Sequence, residues 1–347
     1  MTAHDDVAPS AVARVAQRQP TLADVAEAAG VSIKTASRAL GGEPYVADST
    51  RGRVRAAAAA LDFTLNSAAS QLRRGTAVRS VGLVVGDLAN PFYMGLATGV
   101  EHALREHGLQ LSMASSDEDA AIERAIVEDL VHRRAHGILL VSTLDAHAEL
   151  RGVVERGVPL VLVDRAPAGI DLDAVVIDNV GGATAAISGF LERGHRRIAF
   201  VGDLERLSPQ RERYTAYAAA LTAAGIPLDP ALVVRGSHSA AAAEEAVRDL
   251  MRLDEPPTAV FTANNRVTIG AIAAFRDLPH PPALVGFDHF ELADALGVTT
   301  VGADTSALGR EAVAALLSHV DAAHPTSTRR LPATLVSRGS GERPPSS

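Results

Sequence analysis

The strongest constraint on the fold is a regular alternation of two segment types that begins at Val81. Short runs rich in Val, Ile and Leu alternate with longer alanine-rich segments of helical period. Strands and helices in strict turn form βαβ units, with a parallel sheet covered on both faces, and right-handed crossovers make such a sheet doubly wound. The apolar runs outnumber the strands that one compact sheet usually contains. We therefore predict an α/β body of two similar lobes with a cleft between them. The predicted strands are Val81–Val85, Leu109–Ala114, Gly137–Val141, Leu160–Val163, Ala174–Ile177, Ile198–Val201, Ala259–Thr262 and Ala283–Gly286, and the predicted helices are Gly95–His107, Ala120–Arg134, Gly181–Arg193, Arg211–Ala224, Ala240–Leu253 and Val267–Arg276.

The segment before this body, residues 21–61, has an all-helical pattern with two short breaks. Thr21 and Asp24 have the spacing of a capping box, Gly30 can take positive φ in a turn, and Ser32 is placed to cap a second helix. Two helices around such a turn form a helix-turn-helix, whose second helix presents its first side chains to base edges in the major groove. The alternative is a small helical bundle with a solvated polar face. The side chains expected on the recognition face are Ser32, Ile33, Lys34, Thr35, Ser37 and Arg38.

The residue types in this headpiece suit two kinds of DNA contact. A lysine such as Lys34 can donate to guanine O6 and N7, and an isoleucine such as Ile33 can touch a thymine methyl group. Tyr45, Thr50 and Arg51 fit phosphate contacts, which fix the register on the duplex without reading its sequence.

A short polar stretch, residues 66–74, follows the headpiece. A helix of this length is marginal alone and would order only when its apolar end is buried. Leu72 is the candidate for that end, because an apolar side chain inserted into a minor-groove step kinks DNA. The alternative is an ordinary linker with an incidental leucine.

The net charge also differs between the N-terminal part of the chain and the predicted α/β body. Residues 1–80 carry a net charge of +3 and the remainder −11, within a total of −8 at pH 7. This suggests a basic head on an acidic body, although random clustering can give the same totals. We predict a disordered N-terminal arm over 1–19, a helix-turn-helix headpiece over 20–65, a hinge helix or linker over 66–79, an effector-binding and dimerisation domain of two lobes over 80–342, and a disordered tail over 343–347.

Several functional classes find no support in the sequence. The chain has no cysteine, which excludes disulfides, thiolate catalysis and cysteine-ligated metals. No apolar run approaches the ~20 residues that span a bilayer, and the N-terminus lacks a signal-peptide core, so we expect a cytoplasmic protein with no membrane partner. The sole lysine does not follow glycine, no G-x-G-x-x-G or H-E-x-x-H motif occurs, and His132 and His136 lack an evident third ligand. We therefore expect no enzyme, catalytic residue, cofactor or metal site.

Beyond these patterns, the chain resembles the LacI/GalR family of bacterial repressors. The resemblance covers roughly residues 20–340 and rests on motifs at several separate places. It implies that residues 66–74 form a hinge helix and adds Thr21, Asn66 and Ala69 to the expected DNA contacts. The motifs are Thr21–Ser32, Thr35, Ser37-Arg38, Tyr45-Val46, Thr50-Arg51, Asn90-Pro91-Phe92, Asp178-Asn179, Gly194–Ile198, Ala263-Asn264, Gly286-Phe287-Asp288 and Leu335–Ser340.

The same resemblance implies the two-lobed fold of periplasmic sugar-binding proteins, with a small effector, expected to be a carbohydrate or related metabolite, between the lobes. Ligands of doubly wound sheets lie at the carboxyl ends of strands, and polyhydroxylated ligands need carboxylates, amides and aromatic faces. A capping or salt-bridge role is the alternative at every candidate. Asn265 and His238 depart from the family's pattern, which leaves the ligand's identity open. The effector-binding candidates are Phe92, Tyr93, Asp164, Arg213, His238, Asn264 and Asp288.

The implied activity is that of a sequence-specific DNA-binding transcriptional regulator, expected to be a repressor. A homodimer imposes its symmetry on a pseudo-palindromic operator, with a tetramer as the alternative assembly. Effector binding would move the lobes and change operator affinity, in either direction. Two competing classes are a transporter's solute-binding receptor, which would lack the head, and a sugar-processing enzyme, for which the sequence shows no catalytic constellation.

Overall fold

The computed structural model describes residues 20–41, 45–63, 79–318 and 325–345, and the chain divides into two compact units between positions 78 and 79. The predicted hinge, 66–79, lies outside the described residues except for Arg79, so the hinge helix stays a prediction. In the first unit the described helices are α1 Leu22–Ala28, α2 Ile33–Leu40 and α3 Asp48–Ala60.

The predicted start signals of α1 and α2 are present. Thr21 Oγ1 accepts from the Asp24 N–H, and Asp24 Oδ2 accepts from the Thr21 N–H at 2.7 Å, which completes the capping box. Gly30 has φ +63°. Ser32 Oγ accepts from the Thr35 N–H at 3.1 Å and caps α2. Each cap satisfies a backbone donor that the first helical turn leaves open.

The headpiece core is built from small side chains. Val25, Ala26, Ala36, Ala39 and Val54 are buried in one cluster contributed by all three helices. Alanines at these positions let the helix axes approach closely, because no long side chain has to fit between them. This core fixes the angle at which the opposite face of α2 is presented.

The second unit contains two six-stranded sheets, in agreement with the predicted pair of lobes. Its strands are β1 Ser80–Val85, β2 Gln110–Ser115, β3 Gly137–Leu140, β4 Leu160–Val163, β5 Asp173–Ile177, β6 Ile198–Val201, β7 Val233–Val234, β8 Ala259–Thr262, β9 Ala283–Phe287, β10 Thr299–Gly302, β11 Thr328–Leu331 and β12 Thr334–Val336. Its α-helices are α4 Pro91–Glu106, α5 Ala120–His132, α6 Arg151–Glu155, α7 Asn179–Glu192, α8 Ser208–Ala223, α9 Ala240–Leu250, α10 Asn265–Phe275 and α11 Thr305–Ser318, and short 3₁₀ turns cover Ala148–Leu150, Pro230–Leu232 and Glu291–Ala293.

The two sheets have matching strand orders. Lobe 1 has the order β11-β5-β4-β3-β1-β2 and is parallel throughout, with Val81 of β1 paired to Leu111 and Gly137. Lobe 2 has the order β12-β10-β9-β8-β6-β7, and there only β12 runs antiparallel. The chain passes between the lobes after β5, after β10 and between β11 and β12. Three separate crossings therefore join the lobes at one edge.

The apolar side chains of the parallel strands are buried on both faces of each sheet. Parallel strands covered on both faces read as near-continuous apolar runs, and β1, β3, β4, β5, β6, β8 and β9 are almost entirely buried. One apolar cluster extends through both lobes, and each lobe has a further cluster on its other sheet face. The carboxyl ends of these rigid strands carry the candidate site.

The structure differs from the sequence expectation in several elements. The strands β7, β10, β11 and β12 and the helices α6 and α11 were not predicted. β11 reads Thr-Arg-Arg-Leu and β12 has only three, exposed residues, so neither shows an apolar run. Arg343, assigned to a disordered tail, donates to the Pro282 carbonyl at 3.1 Å, while its own carbonyl lies 2.9 Å from His195 Nε2. These two contacts hold the start of that tail against lobe 2.

Candidate ligand cleft and nucleic-acid interface

The cleft between the lobes lies at the carboxyl ends of both sheets. It contains about 570 Å³ of space free of protein atoms, part of it open to solvent. All seven predicted effector-binding residues line it. Its lining comprises Asp87, Asn90, Phe92, Tyr93, Glu118, Asp164, Arg165, Asp203, Leu207, Pro209, Gln210, Arg213, His238, Ala263, Asn264, Arg266 and Asp288.

Two of these residues, Asp164 and Asp288, occupy equivalent places in the two lobes. Each directly follows a strand, β4 or β9, and the backbone N–H of each donates at 2.8 Å to the neighbouring strand, at Val175 or Val301. Both have left-handed backbones, with φ +68° and +67°. Non-glycine residues rarely adopt this conformation, and it costs about 1 kcal/mol or more. In both lobes the fold accepts that cost to hold a buried carboxylate at the cleft.

Asp288 has a cationic partner. Arg213 Nη2 lies 3.5 Å from Asp288 Oδ1, and both side chains are buried. Arg213 is itself fixed, since its Nε donates to Asn179 Oδ1 at 2.9 Å and its guanidinium lies 3.6 Å from the centre of the Phe287 ring. Burial raises the pKa of Asp288, and the charge of Arg213 opposes that rise.

Asp164 lacks such a pairing. Its side chain is 7% exposed, and its Oδ1 has no hydrogen-bond partner among the described residues. Burial raises the pKa of Asp164 to about 6, although the positive charges of Arg165 and Arg213 act against the shift. A buried carboxylate oxygen without a donor is unfavourable in the free protein. Its position at the cleft makes it a natural acceptor for a bound hydroxyl group.

Glu118 and Arg165 form a second buried ion pair in the cleft. Two hydrogen bonds of 2.9 and 2.5 Å join the guanidinium to the two carboxylate oxygens, and Arg165 also donates to the Ser142 carbonyl at 2.6 Å. Burial acts to raise the pKa of Glu118, but the charge and hydrogen bonds of Arg165 lower it below its usual value. Glu118 is therefore a fixed anion whose charge Arg165 balances.

On the lobe 2 side, Asp203 joins two of the predicted residues. His238 Nδ1 lies 2.7 Å from Asp203 Oδ1, and Asn264 Nδ2 donates to Asp203 Oδ2 at 2.7 Å. Asn264 also caps α10 through the Val267 N–H. The hydrogen bond from Asp203 raises the pKa of His238, whereas for Asp203 burial raises the pKa and His238 lowers it, with a net lowering. The capping and salt-bridge roles considered as alternatives thus coexist with a place in the cleft.

Four lining residues outside the predicted effector-binding set also lie just after strands or beside such a residue. Asp87 and Asp203 each stand two positions after a strand, Glu118 stands three after β2, and Arg165 is next to Asp164. Positions just after strands converge on one edge of a parallel sheet. That rule alone selects these positions, whereas their pairings depend on contacts between distant parts of the chain.

Four side chains of lobe 2 make polar contacts to lobe 1 across the cleft. From lobe 2, Arg206 donates to the Glu118 carbonyl at 2.7 Å and to Thr143 Oγ1 at 3.0 Å. The other bridges join Arg211 to Asp145, Asn265 to Asn90 and Arg266 to Asp87. The described arrangement therefore holds both walls of the cleft together.

The head presents its predicted recognition residues on one helix. Ile33 is 52% exposed, Lys34 and Arg38 are exposed, and Thr35 and Ser37 are half-buried. Ser32 and Thr21 use their hydroxyl groups in helix caps. Residues 32–35 lie at the start of α2, the end that a recognition helix offers to bases, whereas Thr21 caps α1.

The residues expected to contact phosphates differ in exposure and in their contacts within the head. Tyr45 is 92% exposed and Thr50 is half-buried. Arg51 is held within the head, where it donates to the Val46 carbonyl at 3.3 Å and lies 3.9 Å from Asp48. The predicted contacts Asn66, Ala69 and Leu72 lie outside the described residues.

The described residues contain no group of three or more His, Asp or Glu side chains arranged to hold a metal ion. Over the same ranges, every helix is too short or too polar to cross a membrane. A helix-turn-helix unit and a two-lobed binding domain in one chain define the class of ligand-responsive transcriptional regulators.

Comparison with known proteins gives the family. Residues 21–66 match the family described as "Bacterial regulatory proteins, lacI family", and residues 78–330 match "Periplasmic binding proteins and sugar binding domain of LacI family". The HTH-type transcriptional regulator PtxS of Pseudomonas aeruginosa is 34% identical over 331 residues, covering 92% of this chain and 95% of that protein. The chain belongs to the LacI family of bacterial regulatory proteins.

Solved structures agree with this assignment. A complex of the transcriptional regulator CelR with cellobiose has a TM-score of 0.68 and 30% identity, covering 92% of this chain and 99% of that one. A Lac repressor dimer bound to operator and the anti-inducer ONPF has a TM-score of 0.77 over 93% of this chain and 99% of that one, and its 23% identity shows a shared fold.

Proposed function

We propose that the chain is a sequence-specific DNA-binding repressor whose affinity for its operator is controlled by a small effector, of carbohydrate type, bound between the lobes. The observation that carries the proposal is the combination of an exposed α2 face with a cleft built around the buried carboxylates Asp164 and Asp288. The family assignment supports it, as do the cellobiose complex of CelR and the operator complex of the Lac repressor. Acting on genomic DNA places the protein in the cytoplasm.

On the DNA side, Lys34 and Ile33 read base edges, while Tyr45 and Thr50 contact phosphates. A homodimer, or a tetramer built from dimers, places two heads on a pseudo-palindromic site because its symmetry is transferred to the DNA. Asn66, Ala69 and Leu72 complete the interface, with Leu72 as the minor-groove wedge. The proposed DNA-contacting set is Thr21, Ser32, Ile33, Lys34, Thr35, Ser37, Arg38, Tyr45, Thr50, Arg51, Asn66, Ala69 and Leu72.

On the effector side, Asp164, Asp288 and Asn264 bind hydroxyl groups, and the rings of Phe92 and Tyr93 cover apolar faces of the ligand. Arg213 and His238 complete this set. The ligand shifts the lobes between two arrangements only as far as it binds one of them better, and a few kcal/mol of difference changes occupancy about a hundredfold.

The DNA-reading role is tested with Lys34→Gln. Selection of binding sites from random duplexes should show a changed preference at one position of each half-site, since removal of a base contact relaxes discrimination there. The control is Arg55→Gln, an exposed α3 residue of the same head, which should leave the profile unchanged. A Lys34→Gln profile identical to that of the wild type would contradict the reading role.

The effector role is tested with Asp288→Asn, which keeps a side chain that tolerates left-handed backbone. Operator affinity without ligand should remain, while the response to sugars and nucleosides that shift the protein's melting temperature should be lost. A normal response in the variant would remove Asp288 from the effector site. Measuring operator affinity with and without the ligand also shows whether the ligand weakens or strengthens the operator complex.

A further inference from the structure

The charge inventory of the cleft is unbalanced. Five carboxylates, three guanidinium groups and the imidazole of His238 line it, so acidic groups outnumber basic ones. The carboxylates belong to Asp87, Glu118, Asp164, Asp203 and Asp288, and the guanidinium groups to Arg165, Arg213 and Arg266.

Each guanidinium group is already engaged by a carboxylate. Arg165 binds Glu118 at 2.5 Å, Arg213 lies 3.5 Å from Asp288, and Arg266 binds Asp87. Arg165 Nε keeps one donor without a partner, but the charge of Arg165 is balanced by Glu118. Phosphate and carboxylate ligands are usually held by arginines whose charge is available to them. This lining offers none.

Backbone donors do not reverse this balance. The N–H groups at the starts of α4 and α10 are partly occupied by the side chains of Asn90 and Asn264. The start of α8 also reaches the cleft, where Pro209 has no N–H to give, although no side chain caps this helix. Two of these three helix starts are therefore already capped by the protein's own side chains.

Two buried atoms in the lining are left for a ligand. Asp164 Oδ1 is an acceptor and Gln210 Nε2 is a donor, and neither has a partner among the described residues. The two residues are 7% and 4% exposed. A hydroxyl group can serve either atom, because it can donate to an acceptor and accept from a donor. An anionic oxygen satisfies only Gln210 and is repelled by Asp164.

We infer that the cleft selects an effector without negative charge that carries several hydroxyl groups, with Asp164 as acceptor and Gln210 as donor, and that it excludes the phosphorylated or carboxylated forms of the same compound. The inference rests on the proposed function, because it takes this cleft as the effector site. Gln210 becomes a specificity-determining residue that the sequence patterns did not single out.

The test uses the full chain and isothermal titration calorimetry with matched pairs of ligands near neutral pH. The pairs are ribose with ribose 5-phosphate, glucose with glucose 6-phosphate, glucose with gluconate, and adenosine with adenosine monophosphate. At least one neutral member should bind, and its anionic partner should bind about a hundredfold more weakly or not at all. An anionic member that binds as well as its neutral partner would overturn the inference, and so would a failure of every neutral member to bind.

Two substitutions, Asp164→Asn here and Gln210→Met below, test which residues cause this ligand selectivity. Asp164→Asn removes the charge, and asparagine tolerates the left-handed backbone there, so discrimination between neutral and anionic partners should fall about tenfold or more. Asp117→Asn is the matched control, since Asp117 also has positive φ but is exposed, and it should discriminate like the wild type. Unchanged discrimination in Asp164→Asn would overturn the role of its charge.

Gln210→Met keeps the side-chain length and removes both polar atoms. It should weaken the neutral ligand about tenfold while the anionic partner remains excluded, and unchanged affinity would overturn the role of Gln210. Binding-site selection on the same preparation distinguishes a failure of the charge selectivity from a failure of the proposed function. Sequence preference together with tight anion binding would refute the charge selectivity alone, whereas an absence of sequence preference would refute the proposed function.

Discussion

Asp164 and Asp288 show how one residue type at two equivalent positions acquires different properties. Both are buried, both follow a strand, and both have left-handed backbones. Arg213 lies within salt-bridge distance of Asp288, whereas no described residue donates to Asp164 Oδ1. Residues kept in such unfavourable states cluster at functional sites. The unpaired member therefore costs stability in the absence of ligand and supplies binding energy in its presence.

The cost at Asp164 should appear as a pH-dependent difference between wild type and Asp164→Asn. Burial raises the pKa of the folded carboxyl group to about 6 from 3.8, against the charges of Arg165 and Arg213. Between these values the folded state holds its proton more tightly than the unfolded state, so the free energy of unfolding falls as pH rises. The loss is complete above the folded pKa and amounts to roughly 2 to 3 kcal/mol. Below the unfolded pKa it vanishes.

Chemical denaturation of both proteins between about pH 4.5 and pH 8 measures this difference. Asp164→Asn should be the more stable protein near pH 8, with the gap closing toward pH 4.5. The matched substitution Asp117→Asn alters an exposed carboxyl group at positive φ and should show no such trend. A pH-independent gap would mean that Asp164 finds a partner in the free protein.

At the scale of elements, the contact between α4 and α11 depends on two glycines. A Cβ atom added at Gly99 would overlap the backbone carbonyl of Ser306, and one added at Gly309 would overlap the backbone of α4. The helices approach this closely because both positions lack side chains. This contact packs the helix that follows the second crossing against lobe 1.

Gly99→Ala should therefore destabilise the protein by about 2 kcal/mol, since backbone atoms cannot move aside as a flexible side chain can. Gly152 in α6 is the matched control, because it is helical and exposed and has nothing within 4 Å of an added Cβ. Gly152→Ala should be neutral or stabilise by about 0.5 kcal/mol through reduced freedom of the unfolded chain. Equal stability of the two variants in urea denaturation would show that α4 and α11 can separate without cost.

Elements differ in how far the sequence determines them. Buried strands such as Val81–Val85 and Ile198–Val201 were predictable because both of their faces are covered by apolar side chains. The edge strand β11 was not, because its Thr-Arg-Arg-Leu sequence pairs through its backbone and leaves no apolar signal. The cleft lining was predicted by position and resemblance, but its pairings were not. Glu118 and Arg165 are separated by 47 positions, and only the folded sheet brings them together.

On the scale of the whole binding domain, the three crossings join the lobes at one edge. Crossings of this kind are the short connecting segments that absorb hinge motion. Polar contacts between the facing walls then set how often the cleft is closed in the absence of ligand. Arg206 makes two such contacts from lobe 2 to lobe 1, at the Glu118 carbonyl and at Thr143 Oγ1.

Arg206→Ala should shift the free protein toward open arrangements. The chain has no native cysteine, so dyes can be attached at Glu128→Cys in lobe 1 and Glu245→Cys in lobe 2, both exposed positions. Single-molecule energy transfer between the dyes should show a longer mean separation in the Arg206→Ala background. A less populated closed state also lowers apparent ligand affinity in proportion, by about tenfold if closure falls tenfold.

The control for the expected opening of the cleft in Arg206→Ala is the variant Arg235→Ala. Arg235 belongs to the same lobe, and its side chain is 33% exposed against 36% for Arg206. Its guanidinium reaches Glu205 and stacks on Tyr214, both within lobe 2, so its loss removes a comparable charge without removing a contact between the lobes. Arg235→Ala should thus match the wild type in dye separation. If Arg206→Ala also matched the wild type, closure would depend on the remaining bridges or on the crossings themselves, and Arg206 would have no part in holding the cleft shut.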